Sequence, residues 1–481
     1  MSAGLATSLA TTTMNETCHR FDYDVAVLGG GSAGYAAART AAASGLRTVV
    51  IEGGPEVGGL CILRGCMPTK ALLYAAEVLH LASHAGPWGI RAENVGFDFA
   101  QVMARKNTLI QEFADERRAQ LTGGKFKFIR ATARFLDLHA VALSNGGALT
   151  AAHFVTTTGS TVAPPPLPQL RETGYLTSDD VLTLTQLPQS LIVLGGGAVA
   201  VELAQFFARF GVHVTLLQRS EHLLREFDTD AALEIEKVFR RDGIEVFTDT
   251  KLTDARREGH RKIISFQHHG QSVSVAADEI LFALGRVPNT ASLDLDKAGV
   301  ATERGRIMAN EFMQTSAPHI YTAGDCTGPH DIVHLAVQQG EIAAHNIAHS
   351  NEPRRMDYRL LLAVMFTDPQ VAVVGLTEKT ATTRGVPYLT ASHPFSDHGK
   401  SLIMEARDGF VKLLADPQSG EILGGACVGP VGGELIHEIV VALAKRMTVH
   451  ELAALPHYHP TLAEAWTYPA EMLAVRIPAT R

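Results

Sequence analysis

Residues 24–34 read Asp-Val-Ala-Val-Leu-Gly-Gly-Gly-Ser-Ala-Gly, an apolar run that leads into a Gly-x-Gly-x-x-Gly turn. The run is typical of a buried parallel strand, and the alanine-rich residues 35–43 predict a helix. A second apolar strand, residues 48–51, ends at the acid Glu52. Strand, glycine turn, helix and acid in this order predict a Rossmann-type unit that binds a dinucleotide.

The glycine turn predicts where the dinucleotide binds. Gly29, Gly31 and Gly34 allow a tight turn, so that a pyrophosphate can approach the N-terminus of the helix near Ser32. Glu52 can accept hydrogen bonds from ribose hydroxyls.

The same pattern occurs a second time along the chain. Its strand, glycine turn, helix and following strand are residues 191–194, 195–200, 201–210 and 213–217. Gly195 and Gly197 open this turn, and Ala200 replaces the third glycine, which the motif tolerates. Two such units predict two bound nucleotides.

A cysteine pair lies between the two units. Residues 58–70 read Gly-Gly-Leu-Cys-Ile-Leu-Arg-Gly-Cys-Met-Pro-Thr-Lys. Pro68 and the apolar spacing that follows it predict a helix that begins near Cys66, where the helix dipole favours a thiolate. Gly65 allows the backbone to bend, so the sulfurs of Cys61 and Cys66 can approach within disulfide range. Two unrelated buried cysteines are the alternative, which the surrounding glycines, proline and lysine disfavour.

The motif Gly-Gly-x-Cys-x4-Cys-x-Pro-Thr-Lys resembles the redox-active disulfide of the flavin-dependent pyridine nucleotide–disulfide oxidoreductases, which include dihydrolipoamide dehydrogenase, glutathione reductase and mercuric reductase. The resemblance implies an α/β fold with two Rossmann-like dinucleotide-binding domains and a C-terminal α+β dimerisation domain. It also implies an enzyme that contains FAD and moves electrons between NAD(P)H, the flavin and a Cys61–Cys66 disulfide.

Further segments match the family near its cofactors. Gly159 lies in a Thr-Gly-Ser segment that ends the first flavin-binding portion, and Gly285 marks the return from the nicotinamide domain. Asp325 ends an Ile-Tyr-Thr-Ala-Gly-Asp run and corresponds to the aspartate that holds the ribityl or phosphate part of FAD. Ala336 begins a helix that runs beside the flavin in the family.

The catalytic residues implied by the resemblance lie in two places. Residues 457–464 read His-Tyr-His-Pro-Thr-Leu-Ala-Glu, in which His459 is the acid–base group that serves the partner subunit's disulfide and Glu464 orients it. Cys66 faces the flavin and Cys61 meets the substrate. Lys70 corresponds to the family's lysine near the flavin, and Glu202 to its ion-pair partner. No metal site is predicted.

The two glycine turns can be compared to predict the coenzyme. Glu52 follows Gly31 by 21 residues, and the same offset from Gly197 reaches Gln218, which is followed by Arg219 and later Arg225. An acid binds the 2′-hydroxyl of NAD, whereas arginine accommodates the 2′-phosphate of NADP. We therefore predict NADP, with NAD as the alternative.

The composition limits the remaining classes. A length of 481 residues predicts about three domains, and the net charge of −8 argues against nucleic-acid binding. No apolar stretch is long enough for a membrane span, and five cysteines indicate a reducing, cytoplasmic setting. The expected layout is a disordered leader (1–20), a divided FAD-binding domain (21–160 and 289–356), an NAD(P)-binding domain (161–288) and a dimerisation domain (357–481).

The substrate stays open between several alternatives. A small-molecule or protein-bound disulfide or dithiol is expected. Ala198 is closer to the small residue of lipoamide- or mercury-type enzymes than to the tyrosine that glutathione reductases often have there. Because Cys427 is the last cysteine, the sequence shows no C-terminal cysteine pair. This disfavours the classical mercuric and high-molecular-weight thioredoxin reductases, which pass electrons to such a pair. A non-catalytic nucleotide-binding redox sensor would need neither Cys61–Cys66 nor His459. Arg64 either acts on the cysteine pair or is a solvated surface residue.

Overall fold

A computed structural model describes residues 20–478, so the predicted leader, apart from its last residue, lies outside the described residues. The first part of the chain alternates strands and helices. Its elements are β1 (Tyr23–Leu28), α1 (Ser32–Ala43), β2 (Thr48–Glu52), α2 (Leu60–Leu63), α3 (Cys66–Ser83), α4 (Phe99–Thr122), β3 (Lys127–Arg130), β4 (Ala133–Phe135), β5 (Ala140–Leu143) and β6 (Ala148–Thr156). Strands β3, β2, β1 and β6 form a parallel sheet in that order, and β5 and β4 extend it in antiparallel fashion.

The second part of the chain contains the second glycine turn. Its elements are β7 (Ser160–Val162), α5 (Gln169–Thr173), α6 (Ser178–Val181), β8 (Ser190–Leu194), α7 (Ala198–Arg209), β9 (His213–Leu217), α8 (Thr229–Arg241), β10 (Glu245–Phe247), β11 (Thr250–Glu258), β12 (Arg261–His268), β13 (Gln271–Ala277), β14 (Glu279–Phe282) and β15 (Arg286–Pro288). Strands β10, β9, β8 and β14 form a parallel sheet, and β11–β13 form an antiparallel meander. Strands β7 and β15 pair with each other, and they lie next to the predicted domain boundaries at residues 160–161 and 288–289. These boundaries stay predictions.

The third part of the chain returns to the first sheet. It consists of β16 (Thr302–Glu303), β17 (Arg306–Ile307), β18 (Ile320–Thr322) and α9 (Val333–Ala348). Strand β18 pairs in parallel with β6, and α9 packs closely on the alanine-rich α1. A side chain at Gly340 would place its Cβ 2.3 Å from the Ala33 carbonyl oxygen, so this close packing requires glycine.

The C-terminal part is built on an antiparallel sheet. Its elements are β19 (Leu362–Met365), β20 (Gln370–Gly375), α10 (Glu378–Arg384), β21 (Leu389–Pro394), α11 (Gly399–Ile403), β22 (Phe410–Ala415), β23 (Ile422–Gly429), α12 (Gly432–Ala444), α13 (Val449–Ala454) and α14 (Thr467–Arg476). The strand order is β19-β20-β23-β22-β21, and the buried Trp466 belongs to the core between this sheet and its helices. No helix within residues 20–478 combines the length and apolar character needed to cross a membrane.

A buried lysine joins the second and fourth parts. The side chain of Lys412 on β22 is 3% exposed, and its Nζ lies 2.8 Å from a carboxylate oxygen of each of Asp228, Asp230 and Glu378. Burial alone would lower the pKa of Lys412, but the three acids raise it above its usual range. This Lys412 cluster therefore fixes the start of α8 against the antiparallel sheet.

Candidate active site

The first glycine turn lies at the carboxyl ends of β1 and β6. Gly29 has φ +112°, and a Cβ on it would lie 2.4 Å from the Thr157 carbonyl oxygen. A Cβ on Gly34, in the first turn of α1, would lie 1.8 Å from the Gly29 carbonyl oxygen. Only glycine permits this approach, which leaves the N-terminus of α1 open for a pyrophosphate.

A cleft of about 360 Å³ lies beside this turn, lined in part by Gly31, Glu52, Thr158 and Gly159. Thr158 Oγ1 is buried without a hydrogen-bonding partner among the described residues. The carboxylate of Glu52 accepts hydrogen bonds of 2.6 Å from the backbone N–H groups of Gly30 and Gly54, which fixes it at the cleft edge. An unpaired hydroxyl, a fixed acid and a glycine turn fit the adenosine and pyrophosphate portion of FAD.

Asp325 lies beyond the end of β18, at the same sheet edge as the cleft. Ser160 Oγ donates a hydrogen bond of 2.7 Å to the Asp325 carboxylate, and Arg286 Nε donates one of 2.8 Å to Ser160 Oγ. Gly285, just before β15, has φ +111° and accepts a hydrogen bond from the backbone N–H of Ala163. Asp325 and Gly285, which were both predicted to lie near the cofactors, are therefore found where the chain passes between the two nucleotide-binding parts.

Ala336 lies on α9, in a small buried cluster with Ala33 of α1 and Ala323. Ala336, which was predicted to bind the cofactor, is therefore buried at the contact between α1 and α9, and its side chain is only a methyl group.

The second glycine turn repeats the first in its local geometry. A Cβ on Gly195, which has φ +120°, would lie 2.4 Å from the Ala283 carbonyl oxygen, whereas a Cβ on Gly197 would meet nothing within 4 Å. A Cβ on Gly30 would contact Glu52, and one on Gly196 would contact Gln218. Gln218 therefore occupies in the second unit the position that Glu52 occupies in the first.

The two predicted coenzyme arginines are at the surface beside Gln218. The backbone N–H of Arg219 donates to Gln218 Oε1 at 3.1 Å, and its side chain is exposed. Arg225 is also exposed, and its Nε lies 2.8 Å from Glu226 Oε1. Both arginines are therefore exposed on the chain segment that follows β9.

The cysteine pair lies where α2 meets α3, with Cys61 on α2 and Cys66 as the first residue of α3. Both are free thiols, and the Cys61 thiol donates a hydrogen bond to Cys66. This bond is the main cause that lowers the pKa of Cys66 to about 7, and the Lys70 ammonium contributes. The same bond and burial raise the pKa of Cys61. Cys66 is therefore the thiolate of the pair near neutral pH.

Lys70 and Glu202 form the predicted ion pair. Lys70 Nζ on α3 lies 2.8 Å from Glu202 Oε2 on α7, and Glu202 is buried. Glu202 Oε1 also accepts a hydrogen bond of 2.9 Å from the backbone N–H of Phe366. One carboxylate thus connects the cysteine helix, the second Rossmann unit and the C-terminal part.

Cys61 opens into a second cavity, of about 410 Å³. The cavity and the cleft flank the same two segments, because Gly31 and Leu60 line the cleft while Ser32 and Cys61 line the cavity. Its walls are mainly apolar, with side chains of Ala36, Ile62, Met67, Phe113, Val333 and Val337.

Arg117 on α4 is the arginine that acts on Cys61. It lines the same cavity, its guanidinium lies 4.5 Å from the Tyr35 ring centroid, and its positive charge opposes the rise in the Cys61 pKa. Arg64 instead pairs with Glu56 at 3.4 Å and Asp179 at 3.6 Å. No sequence pattern pointed to Arg117, because α4 was not predicted.

The predicted acid–base pair forms in the C-terminal part. His459 Nδ1 lies 2.8 Å from Glu464 Oε2, and the His459 side chain is 75% exposed whereas that of Glu464 is buried. Among the described residues, His459 is absent from those that line the Cys61 cavity. The second oxygen of Glu464 faces His398, a buried histidine that the sequence analysis also missed.

Two glycine-turn nucleotide sites next to a dithiol define the class of nucleotide-dependent dithiol–disulfide oxidoreductases. The family model for pyridine nucleotide-disulphide oxidoreductases matches residues 23–340, and the model of that family's dimerisation domain matches residues 362–470. The chain belongs to this family. Membership supports FAD, a nicotinamide cofactor and a homodimer, in agreement with the sequence analysis.

The chain is similar over most of its length to named relatives. It is 34% identical to a dihydrolipoyl dehydrogenase of Geobacillus stearothermophilus (93% of this chain, 95% of the relative) and 37% identical to a mercuric reductase of Streptomyces lividans (92% and 94%). Among solved structures, LpdA from Mycobacterium tuberculosis superposes with a TM-score of 0.84 at 28% identity, covering 93% of this chain and 99% of LpdA. These relatives support FAD-dependent disulfide oxidoreductase activity without distinguishing the substrate.

Proposed function

We propose that the protein transfers two electrons between a nicotinamide coenzyme and a dithiol or disulfide substrate of the dihydrolipoamide type. The single observation that carries the proposal is the Cys61–Cys66 pair, in which one thiol is acidic and the other opens into a cavity. FAD, when bound, supplies the two-electron carrier between coenzyme and cysteines.

The cysteines divide the exchange between them. In the reductive direction the Cys61 thiolate attacks one sulfur of the substrate disulfide, which forms a mixed disulfide and releases the other sulfur as a thiolate. Cys66 thiolate then attacks the Cys61 sulfur, forms the Cys61–Cys66 disulfide and releases the second substrate thiolate.

A base is needed because the pKa of Cys61 is raised. His459 of the partner subunit would take the Cys61 proton and return it to a departing thiolate, and Glu464 would hold that imidazole. The exposure of His459, and its absence from its own chain's Cys61 cavity, support an active site shared across the homodimer.

The cavity walls favour a disulfide carried on an apolar chain, because most of the surface that lines the cavity around Cys61 is apolar, although Arg39, Glu116 and Arg117 also lie on it. An NADPH-dependent reductase of the glutathione or mercuric type is the second candidate, and the Gln218–Arg219 pair favours it. A redox sensor without turnover is disfavoured by the combination of thiolate, cavity and His459–Glu464 pair.

Turnover assays with NADH and NADPH against lipoamide, glutathione disulfide and mercuric ion test the proposal. We expect the highest kcat/KM with lipoamide. Turnover with mercuric ion or glutathione disulfide alone would favour the second candidate, and no turnover with any of the three would contradict the enzymatic proposal.

The coenzyme gives a separate prediction. We expect NADPH to be preferred over NADH by at least about tenfold in kcat/KM, because charge-assisted contacts to a 2′-phosphate contribute about 1.5–3 kcal/mol each before solvent losses. Replacing both arginines (Arg219→Ala, Arg225→Ala) should remove the preference, chiefly by raising the KM for NADPH.

The matched control is Arg256→Ala, an arginine on the β11–β13 meander that pairs with Glu258 and Asp254. This variant should keep the wild-type preference. A wild-type enzyme that is more efficient with NADH would contradict the coenzyme prediction and strengthen the lipoamide proposal.

A further inference from the structure

His398 is a buried histidine that faces the proposed acid–base pair, His459 and Glu464, from the protein core. Its side chain is 0% exposed, and its Nε2 lies 3.3 Å from Glu464 Oε1. Its other ring nitrogen, Nδ1, lies 2.8 Å from Ser401 Oγ in α11. Within residues 20–478, neither His398 Nε2 nor Glu464 Oε1 has a well-aligned hydrogen bond to any group, and the two atoms face each other at 3.3 Å.

Glu464 therefore lies between two histidines, with one carboxylate oxygen toward each. Oε2 is 2.8 Å from His459 Nδ1 at the surface, and Oε1 is 3.3 Å from His398 Nε2 in the core. A carboxylate only accepts hydrogen bonds, so both facing ring nitrogens must carry protons if both oxygens are to be satisfied. A buried carboxylate oxygen without a donor is unfavourable.

We infer that His398 is a positioning residue that donates its Nε2 proton to Glu464 and so holds the carboxylate against His459. The inference rests on the proposed acid–base role of His459. Ser401 Oγ–H donates to His398 Nδ1 in this arrangement, which fixes the His398 tautomer. The chain of contacts from Ser401 through His398 and Glu464 keeps the proton of His459 on Nδ1, and the opposite ring nitrogen is left free to accept a proton from a thiol.

The surroundings of His398 keep its ring neutral. Burial lowers its pKa, and Glu464 is the acid that opposes this effect. The other groups around the ring are His393, His459, Phe395 and Tyr468. Two of these, His393 and His459, are histidines, and a positive charge on either of them disfavours protonation of His398.

Three replacements of His398 in the full-length FAD-loaded dimer test the inference. In His398→Gln the amide nitrogen can take the place of Nε2, whereas His398→Asn reproduces only the Nδ1 position and His398→Leu offers no donor. With lipoamide or another accepted disulfide, the Leu and Asn variants should reduce substrate about 10–100-fold more slowly, the range for one hydrogen bond to a charged group, and the Gln variant should stay within about threefold of wild type. Reduction of each variant by NADPH should be unchanged.

Two readouts separate positioning from packing. Loss of the donor makes the His459–Glu464 pair bind its proton more tightly, so the acidic limb of the pH–rate profile should move to higher pH in His398→Leu and not in His398→Gln. In a His459→Ala background, His398→Leu should cause no further slowing. His450→Leu, a histidine of the same domain on α13, serves as the matched control and should behave as wild type.

Each opposite result overturns the inference. Wild-type disulfide reduction in His398→Leu would exclude a positioning role, and equal slowing in the Gln and Leu variants would assign His398 to packing. Additive slowing on top of His459→Ala would show that His398 does not act through His459. Unchanged turnover in His459→Ala alone would instead overturn the proposed role of His459, and this inference with it.

Discussion

Replacing His459 by alanine is expected to slow disulfide turnover by about 10²–10⁴-fold, the usual range for one acid–base group. Reduction of the FAD-loaded enzyme by the nicotinamide coenzyme should be unchanged. The physical reason is that the pKa of the Cys61 thiol is raised, so its proton needs an acceptor. Stopped-flow measurement of the two half-reactions checks the prediction. Equal slowing of both would contradict it.

Mixed dimers test whether the site is shared. A dimer of one His459→Ala subunit and one Cys61→Ser subunit keeps one complete pair, so about half of the wild-type turnover is expected. The matched control pairs a subunit that carries both changes with a wild-type subunit. This control should be inactive if His459 serves the partner subunit, and half-active if each chain uses its own histidine.

Replacing Cys61 and replacing Cys66 are expected to have the same effect on disulfide turnover but different effects on the absorbance spectrum. Cys61→Ser and Cys66→Ser should both lose disulfide turnover, by about 10⁴-fold or more, as expected when a covalent nucleophile is removed. Charge transfer between a Cys66 thiolate and FAD would give a long-wavelength absorbance, and only Cys66→Ser should also lose it, because Cys66 is the thiolate that we propose to face the flavin. Cys61→Ser should show that absorbance without reductant. Identical spectra would contradict this division of roles.

The pH dependence of the same absorbance follows from the lowered pKa of Cys66. In the two-electron-reduced wild type, the thiolate and its absorbance should persist above pH 7 and fade as the pH falls below about 7. Iodoacetamide labelling of the reduced protein should slow over the same range. A band unchanged down to pH 5 would place the thiolate pKa well below this value.

Local patterns predicted the two strand–turn–helix units, because the apolar run, the glycines and the helix of each unit lie within one short stretch of chain. Both glycine turns lie at the carboxyl ends of parallel strands, and α1 and α7 begin within three residues of their predicted starts. Cys66 begins a helix, as Pro68 indicated.

The residues that were missed act through long-range contacts. Helix α4 has few buried side chains, namely Met103, Lys106, Ala114 and Leu121, so its apolar period is weak. Arg117 reaches Cys61 because α4 packs beside α2 and α3. His398 lies 66 residues before Glu464, and no spacing rule connects them. Such contacts depend on the tertiary fold, which a motif does not encode.

The Lys412 cluster sets a limit on any redesign of coenzyme preference. Arg219 and Arg225 are exposed, so exchanging them should cost little stability, on the order of 0–1 kcal/mol for a surface ion pair. Asp228 follows Arg225 by only three residues, but it neutralises a buried lysine, and removing one partner of such a pair costs about 3–5 kcal/mol. A mutant library aimed at switching between NADPH and NADH should therefore vary the exposed Arg219 and Arg225 and keep Asp228 constant, because that carboxylate anchors the loop to the domain that assembles the dimer.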